Sequence, residues 1–179
     1  MLKKDATLLL IIDVQGKLAH LVHEKQLLFE NLQKLIKGAR VLGLPLLWVE
    51  QNPAGLGPTI PEVADLMAGA APISKMSFSS CRNEQFVQAL NTLDRRQVLV
   101  AGIETHICVY QTTAGLVKMG YSVQVVADAV SSRNPGNKAI GLQKMQAAGA
   151  GLTSVETALF ELLEVAEGDA FKEILRIVR

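Results

Sequence analysis

The stretch TLLLII at residues 7–12, a threonine followed by five aliphatic residues, lies near the start of the sequence and leads directly into Asp13. A short run of this kind, with no polar residue at alternate positions, is typical of a strand buried on both faces of a parallel sheet. Similar runs recur along the chain at residues 45–49, 71–74, 97–101, 121–127 and 151–153. The run at 71–74 contains Pro72, which favours a position at the edge of the sheet.

Segments of helical character separate these runs. Helices are predicted at residues 28–42, 84–93, 107–119, 137–148, 155–165 and 170–178. Thr153 and Glu156 predict a capping box at the start of the segment 155–165. The alternation of strand and helix predicts an α/β fold with a parallel sheet covered on both faces, in one domain that spans residues 1–179.

The composition argues against several classes of function. The net charge is +1 and the aromatic content is 4%, so the basic face and the stacking residues that nucleic-acid binding requires are missing. The longest aliphatic run, residues 8–12, is far shorter than the ~20 residues of a membrane span. The N-terminal residues do not resemble a secretory signal, and two cysteines do not make a disulfide framework. We therefore expect a cytoplasmic protein with a small-molecule substrate and no nucleic-acid or membrane partner.

Candidate site residues follow from a rule of parallel sheets, because ligands bind at the carboxyl ends of the strands. Asp13 ends the first strand, and Trp48 and Gln51 lie at the end of the second. Lys75 follows the short third strand, and Cys108 lies in the turn after the fourth. These strand ends are expected to meet at one edge of the sheet.

Cys108 lies in the first turn of a predicted helix, where the helix dipole and free backbone N–H groups favour a thiolate. The alternative is a buried cysteine that packs the helix on the sheet. Asp13 and Lys75 are the candidate base and cation for this thiol. His106 is a rival base, but residues two apart on a helix do not face each other.

Two other sets of residues carry weaker signals. His20 and His23 form an H-x-x-H pair without a third ligand, so no metal site is predicted. Cys81 lies in a serine-rich loop and is interpreted as structural.

Four motifs in this order and spacing resemble those of the isochorismatase-like cysteine hydrolases. They are IIDVQ at 11–15, Lys75 followed by Phe78 and Ser79, GIETHICV at 102–109 and ADAVS at 127–131. A further segment, EQNPAGLGPT at 50–59, is similar to one in isochorismatase domain-containing proteins. The resemblance implies a Rossmann-like three-layer α/β/α sandwich with a six-stranded parallel sheet.

The resemblance also implies a role for each candidate residue. Asp13 would be the general base, Cys108 the nucleophile and Lys75 the cation between them. A cis peptide bond is implied between Ile103 and Glu104, and the backbone N–H groups of Glu104 and Cys108 would form an oxyanion hole.

Four further residues are predicted to bind substrate, namely Gln15, Trp48, Gln51 and Phe78. The segment 51–61 is rich in proline and glycine and is interpreted as a surface loop beside the site that could serve as a lid.

Nicotinamidases of this superfamily bind metal after the second strand, but this chain has EQN at 50–52 and no nearby histidine, so no metal or other cofactor is expected.

The resemblance leaves three functions open. Cys108 favours hydrolysis of a C–N bond in a small amide or carbamoyl compound. Vinyl-ether hydrolysis of the isochorismate type and a catalytically silent oligomeric scaffold are the alternatives. Family members commonly assemble, so a homo-oligomer, dimeric, tetrameric or larger, is expected.

Overall fold

The computed structural model describes residues 1–179 and contains one six-stranded sheet. The strands are β1 (Thr7–Ile12), β2 (Leu46–Gln51), β3 (Ile73–Lys75), β4 (Gln97–Ile103), β5 (Ser122–Ser131) and β6 (Gly151–Thr153). Their order across the sheet is β3-β2-β1-β4-β5-β6, and every neighbouring pair is parallel. The predicted six-stranded parallel sheet is confirmed, and β3 lies at an edge as Pro72 indicated.

Nine α-helices connect and flank the strands. They are α1 (Gly16–Ala19), α2 (Lys25–Val41), α3 (Pro53–Leu56), α4 (Pro61–Ala64), α5 (Glu84–Thr92), α6 (Tyr110–Lys118), α7 (Pro135–Ala147), α8 (Val155–Leu163) and α9 (Gly168–Val178). A π-helical turn at Thr105–Val109 precedes α6. No helix combines the length and the apolar character needed to cross a bilayer.

The central strand β1 supplies residues to two separate cores because successive side chains point to opposite faces of a sheet. Leu9 and Ile11 belong to the core shared with α2, α8 and α9. Leu8, Leu10 and Ile12 belong to the core shared with α5, α6 and α7. Each of these side chains is almost fully buried and stabilises the fold by roughly 1.5–3 kcal/mol. Helices on both faces give the expected three layers.

The chain changes direction across the sheet between β1 and β4, which are neighbours although β2 and β3 intervene in sequence. The crevice outside such a reversal is the usual binding position in open parallel sheets. At the end of β4, Gly102 has φ +122°, and a Cβ there would lie 2.1 Å from the carbonyl oxygen of Ile12. Glycine therefore lets the ends of β1 and β4 approach closely beneath the site.

Two predicted strand boundaries are wrong. β5 continues past residue 127 because, after an irregularity in register, Val130 and Ser131 resume pairing with Gly102 and Ile103 of β4. Lys75 is the last residue of β3 and does not follow it.

Two local predictions also differ from the structure. The helix predicted to begin with a Thr153 capping box is instead capped by Ser154, whose hydroxyl accepts a hydrogen bond from the Thr157 backbone N–H. The segment 51–61, predicted as a surface loop, also contains the short helix α3 and a bridge between Thr59 and Gln15.

Candidate active site

Lys75 and Asp13 form a buried ion pair at the carboxyl end of the sheet. The Lys75 Nζ atom lies 2.7 Å from Asp13 Oδ2, and the two side chains are 0% and 3% exposed. The ammonium also donates to Gln51 Oε1 at 3.0 Å and, less closely, to the backbone oxygen of Phe78 at 3.4 Å. Three acceptors for three protons fix Lys75 in place.

The two oxygens of Asp13 have different environments. Oδ2 is bound by Lys75, whereas Oδ1 is buried and has no hydrogen-bond partner. Cys108 lines the same pocket as Asp13 and is close enough for the two groups to perturb each other's pKa. Oδ1 is therefore the carboxylate atom available to take a proton.

The ionisation of this group differs from the expectation of a stabilised thiolate. Burial raises the pKa of the Cys108 thiol to about 12, the Asp13 charge raises it further, and Lys75 opposes both only in part. Burial also raises the pKa of Asp13 above its ordinary value, against the opposing charge of Lys75. The prediction of a lowered thiol pKa is wrong because desolvation and a neighbouring carboxylate outweigh the helix terminus.

The turn that carries Cys108 is held by glycine and by an ion pair. Gly141 of α7 packs so closely on this turn that a Cβ would lie 2.8 Å from the Thr105 carbonyl group. The peptide bond between Ile103 and Glu104 is cis, as the resemblance implied.

Glu104 accepts three hydrogen bonds from Arg133, from its backbone N–H at 3.0 Å and from its guanidinium at 3.1 and 3.2 Å. Burial acts to raise the pKa of Glu104, but the hydrogen bonds and charge of Arg133 together hold it below its usual value. Arg133 therefore balances the charge of the Glu104 carboxylate, which lies beside the turn that carries Cys108.

A cavity of about 110 Å³ opens onto the candidate group. Its lining residues are Asp13, Leu18, Gln51, Leu56, Phe78, Ile103, Glu104, Ile107 and Cys108. Of the predicted substrate-binding residues, Gln51 and Phe78 lie in this lining. Sequence reasoning did not single out three apolar residues of the wall, namely Leu18, Leu56 and Ile107. The sequence held one signal for each of them: Leu18 lies close to the Asp13 motif, Leu56 lies in the segment 51–61, and Ile107 directly precedes Cys108.

Gln15 does not line the cavity. Its side chain is fully buried, its Oε1 accepts from the Gln51 backbone N–H at 2.7 Å, and its Nε2 donates to the backbone oxygens of Gln51 and Gly57. The amide is thus fully used in joining β2 to the segment after it. Glu50 also joins β2 to this segment, since its Oε1 accepts hydrogen bonds from both the backbone N–H and the hydroxyl of Thr59.

Trp48 also lies away from the cavity. Its ring is buried in the core shared with α2, and its indole N–H donates to the backbone oxygen of Ala70 at 3.2 Å. Trp48 and Gln51 are three residues apart on one strand, so their side chains point to opposite faces. Neither Gln15 nor Trp48 can contact a ligand in this cavity.

The sequence matches the family model of the isochorismatase domain over residues 7–157. It is 35% identical over 175 residues to isochorismatase domain-containing protein 2 of Bos taurus, a match that covers 97% of this chain and 83% of the relative.

Solved structures match over nearly the whole chain. The MAR1 ribonuclease of Caenorhabditis elegans has a TM-score of 0.92 at 33% identity, covering 99% of this chain and 91% of that one. YcaC of Pseudomonas aeruginosa, solved with hexane-2,5-diol and covalent acrylamide, has a TM-score of 0.93 at 29% identity and coverages of 98% and 90%. Escherichia coli YcaC, described as an octameric hydrolase of unknown specificity, has a TM-score of 0.93 at 26% identity and coverages of 98% and 88%.

Proposed function

The chain belongs to the isochorismatase family, and from that membership and the site geometry we propose that it is a cysteine amidohydrolase. The substrate class is a small amide or carbamoyl compound whose C–N bond is cleaved through a thioester. The observation that carries this proposal is that Cys108 and Asp13 line one cavity, where Asp13 Oδ1 has no hydrogen-bond partner and Oδ2 is bound by Lys75.

The proposed reaction begins with a neutral thiol, since the pKa of Cys108 is raised to about 12. Asp13 Oδ1 takes the proton as Sγ attacks the carbonyl carbon, so proton transfer and C–S bond formation proceed together. The backbone N–H groups of Glu104 and Cys108 are the proposed oxyanion donors, and one such donor typically contributes ~3–4 kcal/mol. Asp13 then passes the proton to the leaving nitrogen as the C–N bond breaks. Asp13 then deprotonates a water molecule, whose oxygen attacks the thioester carbonyl carbon. As the C–S bond breaks and the acid leaves, Asp13 returns the proton to Sγ and restores the thiol.

Lys75 has a supporting role in this scheme. Its protons are directed to Asp13, Gln51 and Phe78, so it serves as a fixed positive charge and not as the acid for the leaving group. The covalent acrylamide in the Pseudomonas YcaC structure supports the presence of a reactive nucleophile in a protein of this fold, since acrylamide reacts with nucleophiles at its alkene carbon.

Other functions have less support from the site. Vinyl-ether hydrolysis of isochorismate would place a dicarboxylate in a cavity whose only charged lining residues are themselves carboxylates. RNA cleavage, suggested by the name of the nematode neighbour, would require phosphate binding, and the nearest cation, Lys75, is fully engaged. A silent scaffold would give no reason for an unpartnered buried carboxylate oxygen beside a thiol.

Intact-mass spectrometry with acrylamide as the probe tests the nucleophile. The wild-type protein and Cys81→Ala are expected to gain one adduct, and Cys108→Ala none. Asp13→Asn should slow labelling by about 100-fold because the thiol loses its base. Equal labelling of Cys108→Ala and wild type would refute the assignment. Ammonia release from a panel of small amides tests turnover.

Two further properties are part of the proposal. Both cysteines are free, which suits a reducing compartment such as the cytoplasm, and cell fractionation tests this location. The octamer described for Escherichia coli YcaC supports a homo-oligomer, which light scattering on the purified protein would detect.

A further inference from the structure

The charges around the cavity are arranged unusually for an enzyme that binds an anion. Only Asp13 and Glu104 are charged among the lining residues, and both are carboxylates. The two cations nearby, Lys75 and Arg133, bind these carboxylates and do not line the cavity. A ligand in the cavity therefore meets no free positive charge.

The remaining lining is mainly apolar and leaves little space. Leu18, Leu56, Phe78, Ile103 and Ile107 form most of the wall. A cavity of roughly 150 Å³ holds one benzene molecule, so the volume of about 110 Å³ here holds about four or five non-hydrogen atoms. The reacting carboxamide and two carbons of the acyl chain fill that space, so the outer atoms of a longer acyl group lie at the mouth of the cavity, where Leu56 and Phe78 are exposed.

From this arrangement we infer that the substrate is an uncharged amide with a short apolar acyl group, and that the cavity rejects amides that carry a carboxylate. This inference rests on the proposed function for its chemistry, but the selectivity belongs to the cavity. A carboxylate would lose its hydration among leucine and isoleucine side chains and gain no partner. The charged atoms nearest to it would be the carboxylates of Asp13 and Glu104, because their cations, Lys75 and Arg133, do not line the cavity.

The position of Leu56 offers a way to reverse this selectivity. Leu56 is the last residue of α3, lines the cavity and is 37% exposed, so its side chain lies between the apolar wall and solvent. A lysine at this position keeps an aliphatic stem against the wall and supplies the missing cation. Leu152 on β6 is 36% exposed and lies outside the cavity, so Leu152→Lys is a matched control.

The test compares ammonia release from propionamide, malonamide and malonamate. Malonamide and malonamate have the same number of non-hydrogen atoms and differ in charge. We expect kcat/KM to be highest for propionamide and about 100-fold or more lower for malonamate than for malonamide. Leu56→Lys should raise the malonamate-to-malonamide ratio at least about tenfold, whereas Leu152→Lys should leave it unchanged. Equal or better turnover of malonamate by the wild type would overturn the inference.

Binding to Cys108→Ala separates selectivity from chemistry. Saturation-transfer NMR should detect propionamide and malonamide on this variant and miss malonamate at the same concentration. If the neutral amides bind selectively to Cys108→Ala but the wild-type protein releases ammonia from none of them, the amidohydrolase proposal fails and the cavity's selectivity stands. If malonamate binds Cys108→Ala as well as malonamide does, the selectivity is wrong whatever the reaction.

Discussion

Replacing Lys75 with methionine removes the cation from the buried pair while keeping most of the side-chain volume. Asp13 Oδ2 and Gln51 Oε1 both lose their hydrogen bonds to the ammonium, and the carboxylate is left buried without a counter-charge. Breaking a buried ion pair from one side typically costs about 3–5 kcal/mol.

Protonating Asp13 in the folded variant costs a similar amount. The folded variant can avoid an unpaired charge by protonating Asp13. For a carboxyl with an ordinary pKa of 3.8, protonation at about pH 7 costs about 4 kcal/mol, since one pKa unit corresponds to about 1.4 kcal/mol. We therefore expect Lys75→Met to lower the free energy of unfolding by about 3–4 kcal/mol near neutral pH.

The pH dependence has a definite sign. Removing Lys75 raises the folded pKa of Asp13 further above its unfolded value, so the folded variant binds more protons than the unfolded chain. Its stability then falls as the pH rises. The deficit relative to wild type should shrink by about 1.4 kcal/mol per pH unit as the pH is lowered towards the pKa of Asp13 in the wild type.

Urea unfolding of wild type and variant at several pH values measures both quantities. Lys37→Met, at an exposed position of α2, is the control and should change stability by less than about 0.5 kcal/mol. The double variant Asp13→Asn/Lys75→Met should lose less than the sum of the single changes because it leaves no lone charge. A loss below about 1 kcal/mol for Lys75→Met, or a loss that does not shrink on acidification, would refute the reasoning.

Three further predictions concern neighbouring positions. Gln51→Glu places a second carboxylate beside Lys75 and should raise the pKa of Asp13. The acidic limb of the kcat/KM profile should then move to higher pH, and kcat should fall about tenfold. Gln51→Met should give a smaller shift, and an unchanged profile in both variants would contradict the role of Gln51 in setting the pKa of Asp13. Arg133→Met should cost less than about 1 kcal/mol because the guanidinium is 57% exposed and screened. The pair with Glu104 contributes above pH 4.5 and is lost as the pH falls through the lowered pKa of Glu104, so urea unfolding should show the deficit at neutral pH and not in acid. Gly102→Ala should destabilise the protein by more than about 3 kcal/mol or prevent folding, since its Cβ would lie 2.1 Å from a backbone oxygen of β1. Circular dichroism and thermal unfolding measure this loss, and a variant as stable as the wild type would contradict the prediction.

The strand pattern predicted the sheet and the meeting of Asp13, Lys75 and Cys108, because the carboxyl ends of parallel strands share one edge. The alternation along β2 also contained the information that Trp48 and Gln51 face opposite sides. A strand-end rule that ignores this alternation selects residues from both faces, and Trp48 was predicted wrongly for that reason.

Other features depend on three-dimensional surroundings that no local pattern specifies. The pKa of Cys108 follows from how completely the packed chain removes water from the thiol and how near Asp13 lies. The structural role of Gln15 depends on the path of the chain after β2, which brings the backbone of Gln51 and Gly57 within hydrogen-bonding distance of its side-chain amide. The extension of β5 depends on a register irregularity opposite β4.

The pairing of β1 with β4 also bears on how the protein is made. The β1 segment leaves the ribosome long before residues 97–103, and until they emerge one edge of this mainly aliphatic strand has no neighbour. Contacts between distant segments form slowly, and exposed apolar edges favour aggregation. Nascent chains that stop short of β4 are therefore expected to need chaperone protection, and no such fragment can bring Asp13 opposite Cys108.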